Sequence, residues 1–507
     1  FVYVANTDNN TIAVIDAKTL AIQTIDAGIQ PRFLQTFGTA DAAIVLNVGS
    51  SDATIVRTDK NGVSKVGRVP VQRGSNAIAV APDGRHAVVY FNEAFAVQNA
   101  APGSFQDVTV VKLDESGDAS TGMTTGYRAS RVFFSSDGKK AFVVTEDGVS
   151  VLDFDGIDKN GAGIADIVTL GSQGIGKTPD VSVTPDGHYA LTREQTGSAL
   201  RLVDLTDGRI RRLDLATLPA ATADTVDGGS PPDAGAAVGT DGGDAAVPPP
   251  TPTSPPASPL PVTVTDLDLA PSGDSAMAVL RERSLVVKIP IPAAFDQSSL
   301  ATVTRIPDEL IGLVTITPLG KYALLYTTVD PTNERMTILP LTGADAGKPA
   351  SIQLRKSIAS IAVSPDETSA LVVHQKLPGD PNAPGLDDET KADRQDGYSV
   401  VALDRQFAKL QLTLAPLGPS TIVPDSSTLF ILFNTLGVRE VQRVDLRSLR
   451  VFPTELGSPP VSVGAVPTTN RVFVGQDHPD GRISFIDWTT GAVQSVTGFE
   501  LNSRIRE

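Results

Sequence analysis

Few residues in this chain have types and spacings that could do chemistry. Gly171-Ser172-Gln173-Gly174-Ile175-Gly176-Lys177-Thr178 matches the phosphate-loop pattern GxxxxGK[ST]. That loop works by feeding a helix whose N-terminal amides hold phosphate. Here Pro179 follows at once, then the strand-like run Asp180-Val181-Ser182-Val183. The context is strand, loop, strand, so nucleotide binding is rejected. The stretch 377–397 is acidic. It carries Asp380, Asp387, Asp388, Glu389, Asp393 and Asp396 against Lys391 and Arg394. The four histidines are scattered. His86 and His188 follow turn glycines and read as matched repeat positions, His374 ends an apolar run, and His478 lies near Asp477 and Asp480. No His-Glu-Xaa-Xaa-His, Gly-Xaa-Ser-Xaa-Gly or zinc spacing occurs, and no catalytic residue is identified.

Composition narrows the classes further. The net charge is −16 and there is no basic run, which disfavours nucleic acid and anionic membranes. The chain has no cysteine, excluding disulfides, thiolate nucleophiles and Cys-based metal sites. Absence of cysteine fits an exported protein. Aromatic residues are 5% of the chain, which favours β-branched strands over an aromatic ligand cage. No apolar run reaches membrane-spanning length. Phe1 already lies in a strand pattern, so a signal peptide or lipid anchor would precede it.

The elements that must position any site come from a repeat. An apolar run, a tight turn, a second apolar run and a closing Asp recur along the chain. The turns include Pro82-Asp83-Gly84, Ser136-Asp137-Gly138, Pro185-Asp186-Gly187, Pro271-Ser272-Gly273, Pro318-Leu319-Gly320, Pro365-Asp366-Glu367 and Pro424-Asp425-Ser426. A period of about 40–50 residues with strands in every unit means a propeller or solenoid. The fold class is therefore all-β, a β-propeller of four-stranded antiparallel blades. About ten units are legible, and the segment 499–505 is expected to supply the inner strand of the N-terminal blade. Units one to five span 1–218 and units six to ten span 262–507. Between them, 219–261 is rich in Pro, Ala, Gly and Asp, and reads as a disordered insertion. One ring is favoured over two lobes. The closing aspartates Asp16, Asp59, Asp114, Asp153, Asp204, Asp404, Asp445 and Asp487 are expected to bond nearby backbone amides and fix the next turn.

Two resemblances follow from these residues. Phe1-Val2-Tyr3-Val4-Ala5-Asn6, with Thr11-Ile12-Ala13-Val14-Ile15-Asp16, is similar to the YVTN-type repeat, as is Arg471-Val472-Phe473-Val474 with Ile483-Ser484-Phe485-Ile486-Asp487. That family implies a bacterial or archaeal propeller at the cell surface, in the periplasm or outside the cell, WD40-like and related to lactonase-type propellers. No lactonase catalytic motif is found here. The stretch 153–166 resembles the calcium loops of FG-GAP and dockerin-like repeats. That resemblance implies Asp158, Asn160 and Asp166 as ligands, with Asp155 or a backbone carbonyl standing in because Ala162 replaces a carboxylate. The bland reading of the same stretch is a Gly/Asn/Asp hairpin loop. Calcium is thus the only candidate cofactor.

The loops joining second to third strands (92–106, 329–334, 377–397 and 476–480) all emerge on one face, as does 219–261. Loops on a rigid scaffold commonly carry recognition. The favoured reading is an exported non-enzymatic scaffold that binds a protein or glycan on this face. Asp380, Asp387, Asp388, Asp393, Asp396 and His478 are its candidate contact residues. The alternatives are a propeller hydrolase with a channel-mouth site, and a structural subunit of a surface assembly.

Overall fold

The expected repeat is a ring of ten antiparallel sheets in the computed structural model. The structure describes residues 1–96, 103–171, 180–194, 197–218, 262–307 and 309–499. In every blade, consecutive strands pair in chain order. Blade 1 comprises Val2–Asn6, Thr11–Ile15 and Ile22–Asp26. Blade 2 runs Pro31–Thr36, Ala42–Asn47, Asp52–Thr58 and Ser64–Pro70. Blade 3 runs Ala77–Val80, His86–Tyr90, Asp107–Lys112 and Ala119–Thr124. Blade 4 runs Arg131–Phe134, Lys140–Thr145, Gly148–Asp153 and Asp166–Val168. Blades 5 to 10 follow with inner strands at Val181–Val183, Asp266–Leu269, Leu313–Ile316, Ile358–Val363, Leu417–Ile422 and Pro460–Val466.

The second strands explain why these sequences form blades. Ala42–Asn47 is buried throughout. Successive side chains of a strand point to opposite faces. Ala42, Ile44 and Leu46 therefore enter the core shared with blade 3, while Ala43 and Val45 enter the core shared with blade 1. A strand packed on both faces needs an unbroken apolar run, and each Ile, Val or Leu in it contributes about 1.5–3 kcal/mol on burial. Ten clusters of this kind link neighbouring blades around the ring among the described residues. Blades 5 and 6 share one of them across 219–261, with Leu191 and Leu202 packed on the elements around Ala276 and Val287. The Arg193 guanidinium also donates to the Val264 carbonyl at 2.9 Å. Blades 10 and 1 close the ring through Ala13, Ile15, Ile483 and Phe485, and Arg471 donates to the Ala17 carbonyl at 2.7 Å. Phe499 is buried in that closing core; the rest of the segment 499–505, expected to complete blade 1, lies outside the described residues, as do 506 and 507. The tract 219–261 also lies outside them.

The first strands are half buried and lie beside one another at the ring's inner edge. The fourth strands are the most exposed, as in Val493–Thr497. Most of the closing aspartates act as expected. Asp16, Asp59, Asp114, Asp204, Asp445 and Asp487 each accept from a backbone N–H two or three residues on.

Candidate functional site

A cleft lies between blades 2 and 3, where the second-to-third-strand loops emerge. Its base is a reciprocal pair of buried asparagines. Asn92 N–H donates to Asn76 Oδ1 at 2.7 Å, and Asn76 Nδ2 donates to the Asn92 carbonyl at 3.0 Å. Asn92 Nδ2 reaches blade 4, donating to the Ser130 carbonyl at 2.9 Å. Asn92 Oδ1 also caps the short 3-10 turn Glu93–Phe95 by accepting from Ala94 N–H at 3.0 Å. This turn holds Phe95 outward, 58% exposed. The returning strand brings Phe105 edge-on to Phe91, with ring centres 5.5 Å apart.

Arginines complete the cleft. Arg32 stands at a register shift in the inner strand of blade 2, and bulges of this kind re-aim a side chain. Its guanidinium lies 5.8 Å from the Phe33 ring centre. Arg73 comes from the connection entering blade 3. Neither guanidinium has an ion pair or hydrogen bond with any described residue. Arg128 does: it pairs with Glu93 at 3.4 Å and Glu146 at 3.2 Å, and lies over Phe105 and Tyr127 at 5.5 and 5.2 Å. The Glu146 hydrogen bond raises its pKa further. Two adjoining cavities of about 420 and 590 Å³ share Arg32, Phe33, Asn76 and Phe95. Together they run from the loop-bearing face to the inner strands.

These residues were not legible as a site. An average aromatic content of 5% favours β-branched strands over an aromatic ligand cage and gives no hint of Phe33, Phe91, Phe95 and Phe105 lining one cleft. The average hides a cluster: Phe91, Phe95, Phe105, Tyr127, Phe133 and Phe134 crowd one stretch of sequence. That local enrichment was the available signal.

The acidic stretch 377–397 is largely occupied with its own folding. Asp387 caps the helix Asp388–Asp393, accepting from Thr390 N–H at 2.7 Å. Asp380 accepts from Asn382 N–H at 2.9 Å, Asp388 pairs with Lys391 at 3.1 Å, and Asp396 pairs with Lys376 at 2.9 Å. His478, in the blade 10 loop, accepts through Nδ1 from Asp480 N–H at 3.2 Å. The candidate contact residues therefore sit on blades 8 and 10, apart from the cleft.

The stretch 153–166 contains a helix followed by two short strands and is not a hairpin loop. Phe154–Asn160 turns inward to bury Phe154 and Ile157 in the core shared by blades 3 and 4. Gly163–Ile164 then adds in parallel to the outer strand of blade 3, before Asp166 begins the outer strand of blade 4. Asp158 pairs with Lys112 at 2.6 Å and lies 3.5 Å from His86 Nε2. Asp155, Asn160 and Asp166 are exposed. Calcium needs six or more oxygens around one point. Among the described residues no three His, Asp or Glu side chains gather to hold a metal, and Asp158, the acidic member of the set beside a cation, already has Lys112 as its partner. The phosphate-loop match lies outside the described residues beyond Gly171.

The two turn histidines are not equivalent. Arg85 and His188 both donate their N–H to the turn aspartate, to Asp83 and Asp186, each at 3.0 Å. His188 thus matches Arg85, and His86 stands one residue further on. A one-residue step exchanges the faces of a strand. His86 is buried and stacked on Phe154 at 4.3 Å, whereas His188 is exposed and pairs with Asp186 at 2.9 Å.

No protein-family model matches the chain, and no curated protein does. The resemblance to YVTN-type repeats thus has no family model behind it. Solved structures are distantly similar. A eukaryotic initiation factor shares 11% identity over 96% of each chain, with a TM-score of 0.47. A dihydro-heme d1 dehydrogenase, NirN, in complex with DHE shares 13% over 79% of this chain and 74% of that one, with a TM-score of 0.40. A hydrazine synthase from Kuenenia stuttgartiensis shares 13% over 72% and 94%, with a TM-score of 0.35. Likeness at this level concerns the fold and carries no activity across.

Proposed function

We propose that this ring is a non-enzymatic recognition scaffold, exported to the cell surface or periplasm, that binds a protein or glycan on its loop-bearing face. The observation that carries the reading is the cleft between blades 2 and 3. An outward Phe95 and two uncommitted arginines stand there on a base fixed by the Asn76–Asn92 pair. Exposed aromatic surface on rigid supports marks binding sites more than surface at large. The location is supported by the cysteine-free composition and the YVTN-type resemblance.

The test is to probe arrays of immobilised peptides and glycans with labelled wild type and Phe95→Ala. Ligands retained by wild type and lost by the variant support the scaffold. Turnover of a retained ligand, read as released product, would make the ring a hydrolase instead.

A further inference from the structure

The scaffold reading leaves the partner's chemistry open, and the cleft narrows it. We infer that its occupant is an acidic peptide segment, one whose carboxylates meet Arg32 and Arg73 while an apolar side chain lies between Phe33 and Phe95. This rests on the scaffold reading. The argument for charge is complementarity. The chain carries −16 overall, yet two guanidiniums from different blades face this slot without an anion among the described residues. Glu93, the one carboxylate lining the outer cavity, is already paired with Arg128 at 3.4 Å. The adjoining cavities share Arg32, Phe33, Asn76 and Phe95, which suits one extended ligand rather than two compact ones.

A sugar chain would also stack on the rings, but its hydroxyls need many polar partners. Asn76 spends both ends of its amide on Asn92, and the Ser75 hydroxyl donates to the Gln72 carbonyl at 2.8 Å. A peptide needs fewer: two charge-assisted contacts and an apolar anchor.

Fluorescein-labelled peptides alternating Asp or Glu with Phe or Leu are titrated with the full chain, beside their Asn/Gln counterparts and uronic-acid oligosaccharides. The expected result is binding of the acidic peptides only, weakening with salt, and about tenfold weaker in Arg73→Glu and in Phe95→Ala at unchanged melting temperature. If Arg73→Glu does not fold, Arg73→Gln provides the same reading. Equal affinity for the amide peptides, or no loss in either variant, overturns the inference. Binding of uronic-acid oligosaccharides alone overturns the peptide assignment and leaves the scaffold standing. Binding of neither class, with no hit on the arrays, removes both. Self-association at high concentration that Arg73→Glu abolishes would make a second copy the occupant, and would also overturn the peptide assignment.

Discussion

Lys356 holds Asp393 by its backbone: the buried ammonium donates to the Asp393 carbonyl at 3.0 Å and to the Ala392 carbonyl at 2.6 Å. These are end carbonyls of the helix Asp388–Asp393, where positive charge is favoured. Burial lowers the lysine's pKa, against the opposing pull of Asp393, Asp396 and Glu334. A cation buried among acidic groups thus pins the longest loop of blade 8. Lys356→Met keeps most of the stem's packing but removes both hydrogen bonds. A loss of about 1–3 kcal/mol is expected, with faster proteolysis within 377–397. An unchanged cleavage rate there would show that the loop holds itself.

His374 lies beside that lysine and gives the fold an acid limit. Its Nδ1–H donates to the Ser357 carbonyl at 3.1 Å, and its Nε2 accepts from the Ser399 hydroxyl at 2.7 Å. That network uses the neutral ring. Burial depresses its pKa from 6.5 to about 4. The unfolded chain therefore binds the extra proton between pH 6.5 and 4 and the folded chain does not. Stability is full above pH 6.5 and falls as pH drops towards 4, by about 3 kcal/mol at most. Melting temperatures across this range should show a steeper slope in wild type than in His374→Gln. Parallel slopes would place the acid sensitivity elsewhere.

Asp266 and Asp268 act at the inner edge of the ring with the opposite sign. On alternate positions of one strand, they accept from Val314 and Ile316 N–H of the next blade at 2.8 and 2.7 Å. They satisfy the free edge of that blade's inner strand. Burial raises both pKa values, and Asp266 adds to the effect on Asp268. A carboxyl raised in the folded state stabilises fully below the unfolded pKa, and its contribution is lost as pH rises through the folded value. The double change Asp266→Asn, Asp268→Asn keeps an acceptor oxygen at each N–H without a charge to desolvate. It should melt at or above wild type at pH 7, whereas Asp268→Leu should cost about 1–3 kcal/mol by orphaning an N–H. A double variant that melts well below wild type would show that the charge itself is required.

The calcium reading of 155–166 is settled by titration. Asp158 already meets Lys112 at 2.6 Å, and Asp155 and Asn160 lie on the helix Phe154–Asn160 while Asp166 begins a strand. Millimolar calcium should leave the melting temperature unchanged, while Phe154→Ala should lower stability by about 3–5 kcal/mol. A calcium-dependent rise lost in Asp158→Asn would restore the metal.

Much of the fold was legible because second strands are buried on both faces. Runs such as Thr428–Phe433 have no polar alternation to confuse them, and each is followed or preceded by a turn with a fixed residue signature. The helix at Phe154–Asn160 was hidden by Gly156, Asn160 and Gly161, which read as loop; its signal was the apolar pair Phe154 and Ile157 at helical spacing. The cleft was hidden for a different reason. Arg32 is aimed by a bulge and Arg73 by an inter-blade connection, and they meet only when blades 2 and 3 pack. No local periodicity encodes a meeting between blades.

Glu367 shows how the repeat trades one local preference for a tie between blades. It occupies the place of the turn glycine, with φ of 59° where Gly84 has 70°. A non-glycine residue there costs roughly 1–2 kcal/mol. The side chain is buried, and its Oε1 accepts from Leu319 N–H at 2.5 Å and Lys321 N–H at 3.4 Å, in the turn of the preceding blade. Ser426 repeats the device one blade on, accepting from Asp366 N–H at 3.1 Å at a φ of 57°. The bonds accepted by the Glu367 carboxylate are charge-assisted and contribute about 1.5–3 kcal/mol, so that tie outweighs the strain. Glu367→Gly relieves the backbone but leaves the Leu319 N–H without its partner. Stability should fall by about 1 kcal/mol, and Glu367→Gln, which retains a neutral acceptor, should lie between. Thermal melts ordered wild type, Gln, Gly would support the inter-blade tie; a glycine variant more stable than wild type would show that the strain dominates.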